Sequence, residues 1–250
     1  MRKKSKRNFF CERMKILYPY IKDKEVLDIG CYAELRGLVH NIKKEKSWMH
    51  GFLSRNSKHA VGIDIVPDKI ETLRKQGYDV YCISGETFSF KKKFDVIFAG
   101  DVIEHLDNPG LMIRQCRKHL KKEGLLIITT YNVFSIDFKI GGLIRFFNND
   151  LEVHPNHTCF YSPTTIKQLL FRNGFKTKKI IFFNQPVDAR WTIIQKIKSG
   201  IKNSFSHFFR SLAYEMMFFA KISEFPKSPE EIGIPVDETI GLNGKPIKKK

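Results

Sequence analysis

The chain has few acidic residues, no closely paired cysteines and no long apolar run. Asp and Glu number 26 against 44 Lys and Arg, and none of the five cysteines lies in a CxxC pair. An odd set of cysteines cannot pair completely, so we expect reduced, buried thiols and a cytoplasmic protein. No run of about 18 apolar residues predicts a membrane span. No apolar stretch follows the basic N-terminus, so we expect no signal peptide.

The excess of positive charge points to anionic partners without choosing one. A net charge of +18 attracts phosphates, whether in nucleic acid or on a membrane surface. Lys supplies 32 of the 44 basic residues, spread along the chain rather than gathered as the forked Arg donors that suit phosphate recognition. A nucleic-acid partner is therefore an alternative and not the favoured interpretation.

Short apolar strands alternate with helices over residues 1–185. Helices are predicted to begin at Pro67 and at Ser162–Pro163, and residues 110–120 are amphipathic. Because parallel strands need crossover connections, this alternation predicts one α/β domain built on a doubly wound, mostly parallel sheet. The predicted strands are residues 25–31, 60–65, 78–84, 94–100, 124–131 and 175–184.

The chain after Pro186 follows a different pattern. Apolar residues recur there at steps of three and four, which predicts an amphipathic helical extension over residues 186–222. Its basic side contacts a membrane surface through residues 196–222, or else the helix docks on its own domain or on a partner chain. Residues 223–250 are rich in Pro, Gly, Glu and Lys without periodicity, and predict an extended or disordered tail.

Polar residues and glycines follow the predicted strands. In an open parallel sheet, ligands bind where the carboxyl ends of the strands meet. There a carboxylate such as Asp64 accepts hydrogen bonds from a ribose diol, and a glycine such as Gly30 lets the chain pass close to a ligand. The residues at these strand ends are Asp28, Gly30, Asp64, Ser84, Gly85, Glu86, Gly100 and Asp101. They predict a nucleoside site.

Four segments carry a family resemblance. The segments VLDIGC, GIDI, FDVIFAGDVIEHLDNP and LKKEGLLIITTYN, in this order and spacing, resemble the motifs of class I S-adenosylmethionine-dependent methyltransferases over about residues 20–185. The resemblance implies a seven-stranded sheet and S-adenosylmethionine as cofactor. It also implies that Gly30 and Cys31 approach the methionine portion, that Asp64 holds the ribose hydroxyls and that the turn of Ser84, Gly85 and Glu86 faces the adenine. Gly100 and Asp101 would form the floor of the site, and Asp28 and Ile65 are further cofactor-binding candidates.

The loop after the first strand departs from the family pattern. Tyr32 and Glu34 stand where the second and third glycines of the D-x-G-x-G-x-G loop would be. The loop is also long, and its Trp48-Met49-His50 resembles a subgroup with a WLH signature. Either Trp48 and His50 supply cofactor contacts that the missing glycines cannot, or Trp48 packs over the edge of the sheet.

Histidines are the candidate bases for methyl transfer. His105 follows the fourth strand, and His154 and His157 precede the helix that begins at Ser162–Pro163. Each is either a base that takes the proton of the acceptor or a structural histidine, and we name His157 and His105 as catalytic candidates. We expect direct transfer without a metal to a small-molecule, sugar or lipid-linked acceptor. The sequence does not assign an oligomeric state.

Two rival functions remain open at this point. Asp101-x-x-Glu104-His105 with His157 is similar to the ExxEH motif and distant His that bind a divalent metal in small-RNA 3′-terminal 2′-O-methyltransferases. In that case the positive charge is an RNA footprint. The missing glycines suggest the other rival, a non-catalytic binding module that keeps the methyltransferase fold.

Overall fold

The structure is a computed structural model that describes residues 12–32, 48–147, 156–184 and 209–223. Its helices are α1 (Glu12–Ile21), α2 (Met49–Asn56), α3 (Pro67–Lys75), α4 (Pro109–His119), α5 (Ile136–Phe147) and α6 (Pro163–Arg172). Its strands are β1 (Glu25–Ile29), β2 (His59–Asp64), β3 (Val80–Cys82), β4 (Phe94–Gly100), β5 (Leu120–Tyr131), β6 (Phe175–Phe183) and β7 (Glu215–Ile222). Single 3₁₀ turns lie at Ile103–His105 and Arg210–Leu212.

These strands form one seven-stranded sheet in the order β3-β2-β1-β4-β5-β7-β6. The first five strands in this order are parallel to their neighbours, whereas β7 runs antiparallel to both β5 and β6. The chain order reverses between β1 and β4, which places a crevice at the carboxyl ends of these two strands. The predicted fold, a doubly wound and mostly parallel seven-stranded sheet, is confirmed.

Both faces of the sheet are buried because alternate residues of the central strands point to opposite sides. In β4, Ile97 and Ala99 pack with residues of α4 and α6, whereas Val96 and Phe98 pack with residues of α1 and α2. All four side chains are at most 2% exposed. This double burial explains why the strands read as continuous apolar runs and not as alternating ones.

Local signals begin the helices where the sequence predicts them. Pro67 and Pro109 occupy the first turn of α3 and α4, where the missing N–H costs nothing. Ser162 accepts a hydrogen bond from the N–H of Thr165, and the Thr165 side chain accepts one from the N–H of Ser162. This reciprocal capping box starts α6 and directs it back onto the sheet.

The prediction for the C-terminal region is wrong in its last part. Residues 215–222, predicted as helix, form β7, which lies between β5 and β6 in the sheet. Met216 and Phe218 pack on one face of the sheet and Met217 and Phe219 on the other. A continuous apolar run satisfies a helical period as well as a strand buried on both faces, so periodicity did not distinguish them.

The same finding changes the proposed domain limits. The folded sheet does not end at residue 185, because β7 completes it, and β6 is an edge strand. Most of β7 is buried, so this part of the segment 196–222 is unavailable to a membrane surface. Residues 186–208 and the predicted tail from 224 lie outside the described residues. Among the described helices, none has the length and apolar character needed to cross a membrane.

Two helices were not predicted. The first, α1, buries Met14, Leu17 and Ile21 beneath the sheet face that α2 also covers. The second, α5, follows β5 beyond the crevice and exposes much of its apolar surface. The sequence gives both helices weak signals, because α1 contains Pro19 and α5 contains two adjacent glycines.

Candidate cofactor and acceptor site

The carboxyl ends of β1, β2 and β4 meet at the crevice. Ile29 of β1 is in register with Ile63 of β2 and with Ala99 of β4, so the residues that follow these three strands are neighbours. The N–H groups of Gly30 and Cys31 both donate to the carbonyl of Ile63, at 2.9 and 3.1 Å. The structure thus brings together the predicted cofactor residues at the ends of these strands.

Gly30 cannot carry a side chain in this conformation. Its φ is +76°, and a Cβ built on it would collide with the side chain of Val102. The chain at the tip of β1 therefore packs directly against Val102, and only glycine fits this turn at the end of the strand.

Asp64 fixes the loop that follows β1. Its carboxylate accepts hydrogen bonds from the N–H of Tyr32 at 3.0 Å and from the N–H of the next residue, Ile65, at 2.7 Å. Burial raises the pKa of Asp64, although these backbone donors act in the opposite direction. The side chain is only partly buried, and a carboxylate has about four acceptor positions, so Asp64 retains capacity for a further hydrogen bond.

Trp48 and His50 support the same loop from within the protein. The indole Nε1 of Trp48 donates to the carbonyl of Cys31 at 2.9 Å, and Nδ1 of His50 lies 2.9 Å from Oδ2 of Asp28. Burial raises the pKa of Asp28, opposed by the hydrogen bond to His50. Trp48 is 2% exposed and His50 fully buried, so they hold Cys31 and Asp28 from within the protein.

The Ser84–Glu86 turn follows β3 and is hydrogen-bonded to Asn108, the residue before α4. Ser84 Oγ accepts the N–H of Glu86 at 3.2 Å, and Oε1 of Glu86 accepts the N–H of Asn108 at 2.8 Å. Gly85 is buried, and a Cβ there would lie 2.9 Å from a methyl group of Ile29. Glu86 thus uses one carboxylate oxygen inside the protein and has its other oxygen for a ligand.

A buried ion network that the sequence did not reveal lies beside the crevice. Arg13 of α1 contacts Asp101 at 2.6 Å and Glu215 of β7 at 2.5 Å. Burial alone would lower the pKa of Arg13, but the two carboxylates outweigh it and raise the pKa. Asp101 adopts a φ of +54° and also accepts the Thr129 hydroxyl at 2.9 Å. The network joins three distant parts of the chain at the floor of the crevice.

A second cluster lies beyond the ends of β4 and β5. Glu104, His105 and His157 each offer a ligand atom, and these atoms lie within 4.8 Å of one another. Oε2 of Glu104 accepts the hydroxyl of Thr130 at 3.0 Å, while its buried Oε1 has no partner among the described residues. Burial, with a contribution from Asp101, raises the pKa of Glu104 to about 8.

The two candidate bases therefore stand side by side, with ring centroids 4.7 Å apart. Nδ1 of His105 lies 2.9 Å from the carbonyl of Asn156, and a carbonyl can only accept. Nδ1 therefore carries the proton, and Nε2 is the acceptor nitrogen of the neutral ring.

Aromatic side chains surround these histidines. Tyr131 and Phe160 each lie 5.6 Å from the ring of His157, and Phe138 of α5 lies 5.0 Å from Phe160. Burial raises the pKa of Tyr131, which keeps its hydroxyl protonated. We call these three residues the aromatic wall. Flat apolar surfaces next to imidazole groups suit a small acceptor that carries a hydroxyl.

Asn132, which follows β5 directly, has a structural role. It is fully buried and donates to the carbonyls of Ser211 and Ala213 at 2.8 and 3.0 Å. It therefore ties the end of β5 to the segment before β7. Arg13, Glu215 and the aromatic wall were not predicted from the sequence. Nothing local distinguishes one Arg in a helix, or one Glu in an apolar run, from similar residues elsewhere in the chain.

Comparison with known proteins agrees with this geometry. A family model described as a methyltransferase domain matches residues 3–180. The ubiquinone biosynthesis O-methyltransferase of Rickettsia canadensis is 24% identical over 181 residues, which cover 69% of this chain and 71% of that protein. The Bradyrhizobium diazoefficiens enzyme of the same name is 28% identical over 43% of this chain and 40% of its own length. The human mitochondrial enzyme is 25% identical over 67% and 46%.

Solved structures share the fold. A methyltransferase from Archaeoglobus fulgidus superposes with a TM-score of 0.55 at 20% identity, covering 84% of this chain and 91% of that chain. Magnesium protoporphyrin IX methyltransferase from Synechocystis, solved with bound SAH, superposes with a TM-score of 0.53 at 13% identity, covering 84% and 80%. The chain spans less than half of the length of most of the curated relatives named above. With its family model matching well over half of its length, the chain belongs to the class I S-adenosylmethionine-dependent methyltransferases.

Proposed function

We propose that this methyltransferase modifies a hydroxyl oxygen of a small acceptor bound against the aromatic wall. The observation that carries the proposal is the pairing of His105 and His157 beside Tyr131 and Phe160, next to the strand ends that form the crevice. The relatives named O-methyltransferases support an oxygen acceptor. Sugar and lipid-linked acceptors remain within the proposal, since each presents a hydroxyl group.

The residues at the crevice fit the cofactor. The turn at Gly30, whose positive φ favours glycine, would pass beside the cofactor's sulfur end, and the unused acceptor capacity of Asp64 suits a ribose diol. Cys31 would lie beside the methionine portion, and Ile65 and the Ser84–Glu86 turn would flank the adenine. Asp28 and His50 hold the end of β1. S-adenosylmethionine supplies an electrophilic methyl group on a sulfonium. Gly100 and Asp101, at the end of β4, would lie at the floor of the cofactor site.

The histidines receive the proton that the acceptor must lose. A hydroxyl becomes a better nucleophile as its proton moves to a base within hydrogen-bond reach. His157 is the base in this proposal, because its ring lies next to two members of the aromatic wall, Tyr131 and Phe160. His105, held at Nδ1 by the carbonyl of Asn156, has its ring centroid 4.7 Å from that of His157 and keeps Nε2 as an acceptor. Exclusion of water by the aromatic rings favours reaction of the acceptor over competing hydrolysis.

Methylation assays with substituted histidines test this assignment. The purified chain is given S-adenosylmethionine with catechol, a free hexose or a short RNA, and the S-adenosylhomocysteine formed is measured. His157→Gln lowers kcat on the accepted substrate by roughly 100-fold or more and leaves cofactor affinity unchanged. His59→Gln, at an exposed histidine at the opposite end of the sheet, is the matched control. Activity of His157→Gln within about twofold of the control would rule out His157 as the base.

Metal-assisted transfer is a second candidate function, favoured by the arrangement of Glu104, His105 and His157. One carboxylate oxygen and two imidazole nitrogens converge there, and the buried Oε1 of Glu104 has no partner in the described chain. These donors fit Mg²⁺, Mn²⁺ or Zn²⁺, and such an ion lowers the pKa of a bound hydroxyl. Activity on a vicinal diol, as in catechol or at an RNA 3′ end, that is lost on chelation and restored by metal would favour this candidate. Indifference to chelator would remove it.

A further inference from the structure

The outer face of α5 is apolar and exposed. Ile140, Leu143 and Phe147 are 54%, 57% and 75% exposed. At 3.6 residues per turn these three side chains lie within roughly 60° of one another, on the side of the helix opposite Phe138. The inner side of the same helix, through Phe138, contacts Phe160 of the aromatic wall. We define the outer face of α5 as Ile140, Leu143 and Phe147.

The sequence of α5 also disfavours the helix when it is isolated from a partner. Gly141 and Gly142 lie at its centre, and a Cβ at either position would meet no atom within 4 Å. No close packing therefore requires these glycines, while each costs about 1 kcal/mol of helix stability relative to Ala. A helix with this sequence gains stability when its apolar face is covered.

The net charge of the chain indicates which partner covers the outer face of α5. A second copy of a chain with a net charge of +18 is repelled at long range, whereas an anionic lipid surface attracts it. Within α5, Lys139 lies next to Leu143 on the helical wheel, at the edge of the outer face. An apolar face with a basic residue at its edge is the arrangement by which amphipathic helices lie in the headgroup region of a bilayer.

We propose that the outer face of α5 inserts into the surface of an anionic phospholipid bilayer. The active-site side of the same helix then faces the acceptor pocket, so a membrane-dissolved acceptor needs to travel only the thickness of one helix to reach the aromatic wall. The outer face of α5 is a different surface from residues 215–222, most of which are buried in the sheet as β7. The inference is independent of the proposed acceptor chemistry.

Sedimentation with vesicles tests the surface. We expect the full chain to pellet with vesicles containing phosphatidylglycerol and not with pure phosphatidylcholine vesicles. The double substitution Ile140→Glu/Leu143→Glu reduces the bound fraction by roughly tenfold, because it places two carboxylates in the inserting face. The matched control is Leu111→Glu/Phe171→Glu, which changes the net charge equally at exposed apolar residues of α4 and α6. The control binds as the unsubstituted chain does.

Equal loss of binding in both double variants would overturn the proposal, because charge alone would then explain adsorption. A second probe measures insertion directly. Trp at position 143 (Leu143→Trp) is expected to be quenched by brominated lipids well beyond the signal of the unsubstituted chain, and unchanged quenching would contradict insertion. Light scattering completes the test, since a dimer that the α5 double variant dissociates would assign the face to a second copy of the chain instead.

Discussion

At the scale of single residues, two glycines share a strained type of backbone conformation but differ in how crowded their surroundings are. Gly30 and Gly77 both have positive φ, +76° and +89°. A Cβ on Gly77 would meet no atom within 4 Å, whereas a Cβ on Gly30 would collide with Val102. Only Gly30 lies at the cofactor crevice. The pair therefore tests whether the close approach of the chain at the tip of β1 matters for binding.

We expect Gly77→Ala to cost about 1 kcal/mol of stability, the usual penalty for a non-glycine residue at positive φ. Gly30→Ala pays the same strain and must also displace Val102 or the loop, so it loses measurable S-adenosylhomocysteine affinity as well. Thermal unfolding and isothermal titration compare the two variants. Equal cofactor affinity in both would mean that the approach at Gly30 is not needed.

Glu104 makes stability depend on pH. Its pKa is raised from its ordinary value of 4.5 to about 8, mainly by burial, so the folded state holds its proton where the unfolded state has lost it. Stability therefore falls as pH rises from about 4.5 to about 8 and levels off above that window. Glu104→Gln, which keeps the shape without the charge, flattens this slope and unfolds at a higher temperature than the unsubstituted chain at pH 8.

The measurement is thermal unfolding across this pH range with chelator present. Glu123→Gln is the control, since this carboxylate is fully solvent-exposed and keeps the slope unchanged. If Glu104→Gln and Glu123→Gln gave the same pH profile, the raised pKa of Glu104 would be wrong. The sequence offered Glu104 only as a member of a short motif, because burial of its carboxylate depends on β5 and on the turn after β4.

At the scale of elements, the sequence predicts what is decided locally. Strands β1, β2, β4 and β5 and the starts of α3, α4 and α6 follow from apolar runs, prolines and caps within a few residues of each other. The strand β7 was assigned as helix because its pairing partners, β5 and β6, are distant in the sequence. The cofactor crevice was predictable for the same reason as the strands: its residues follow them directly.

The Arg13 network was not predictable, because it joins α1, β4 and β7 across up to 202 residues. We expect Arg13→Ala to destabilise the chain by about 3–5 kcal/mol, since it removes the guanidinium that pairs with Glu215, whose side chain is 1% exposed. Lys92→Ala removes an exposed ion pair with Glu25 and costs less than about 1 kcal/mol. Urea unfolding measures the free energy of unfolding of both variants. Equal losses of stability would show that the Arg13 network does not behave as a buried one.

At the scale of the whole molecule, the sheet is completed from the C-terminal side. Strand β7 contributes residues to the apolar layers on both faces, and it separates β5 from the edge strand β6. The family match ends at residue 180, so the last strand lies outside it. A chain that ends near residue 185 would expose the edge of β5 and much of the apolar interior.

We expect a chain of residues 1–185 to lack a cooperative unfolding transition. A chain ending at Ser223 retains every described element and unfolds cooperatively. Circular dichroism with heating compares the two lengths. A cooperative transition in residues 1–185 would mean that β7 is an accessory strand, and the domain limit predicted from the sequence would then be correct.

The central claim is that a nucleoside lies across the crevice with Asp64 at its ribose and the chain around Gly30 at its sulfur end. Calorimetric titration of the full chain with S-adenosylhomocysteine tests it most directly, beside Asp64→Asn and the exposed control Glu71→Gln. We predict saturable binding that Asp64→Asn weakens by roughly 10- to 100-fold and Glu71→Gln leaves unchanged, as expected for the loss of a hydrogen bond to a charged group. Undiminished binding by Asp64→Asn, or no heat of binding by the unsubstituted chain, would contradict the account.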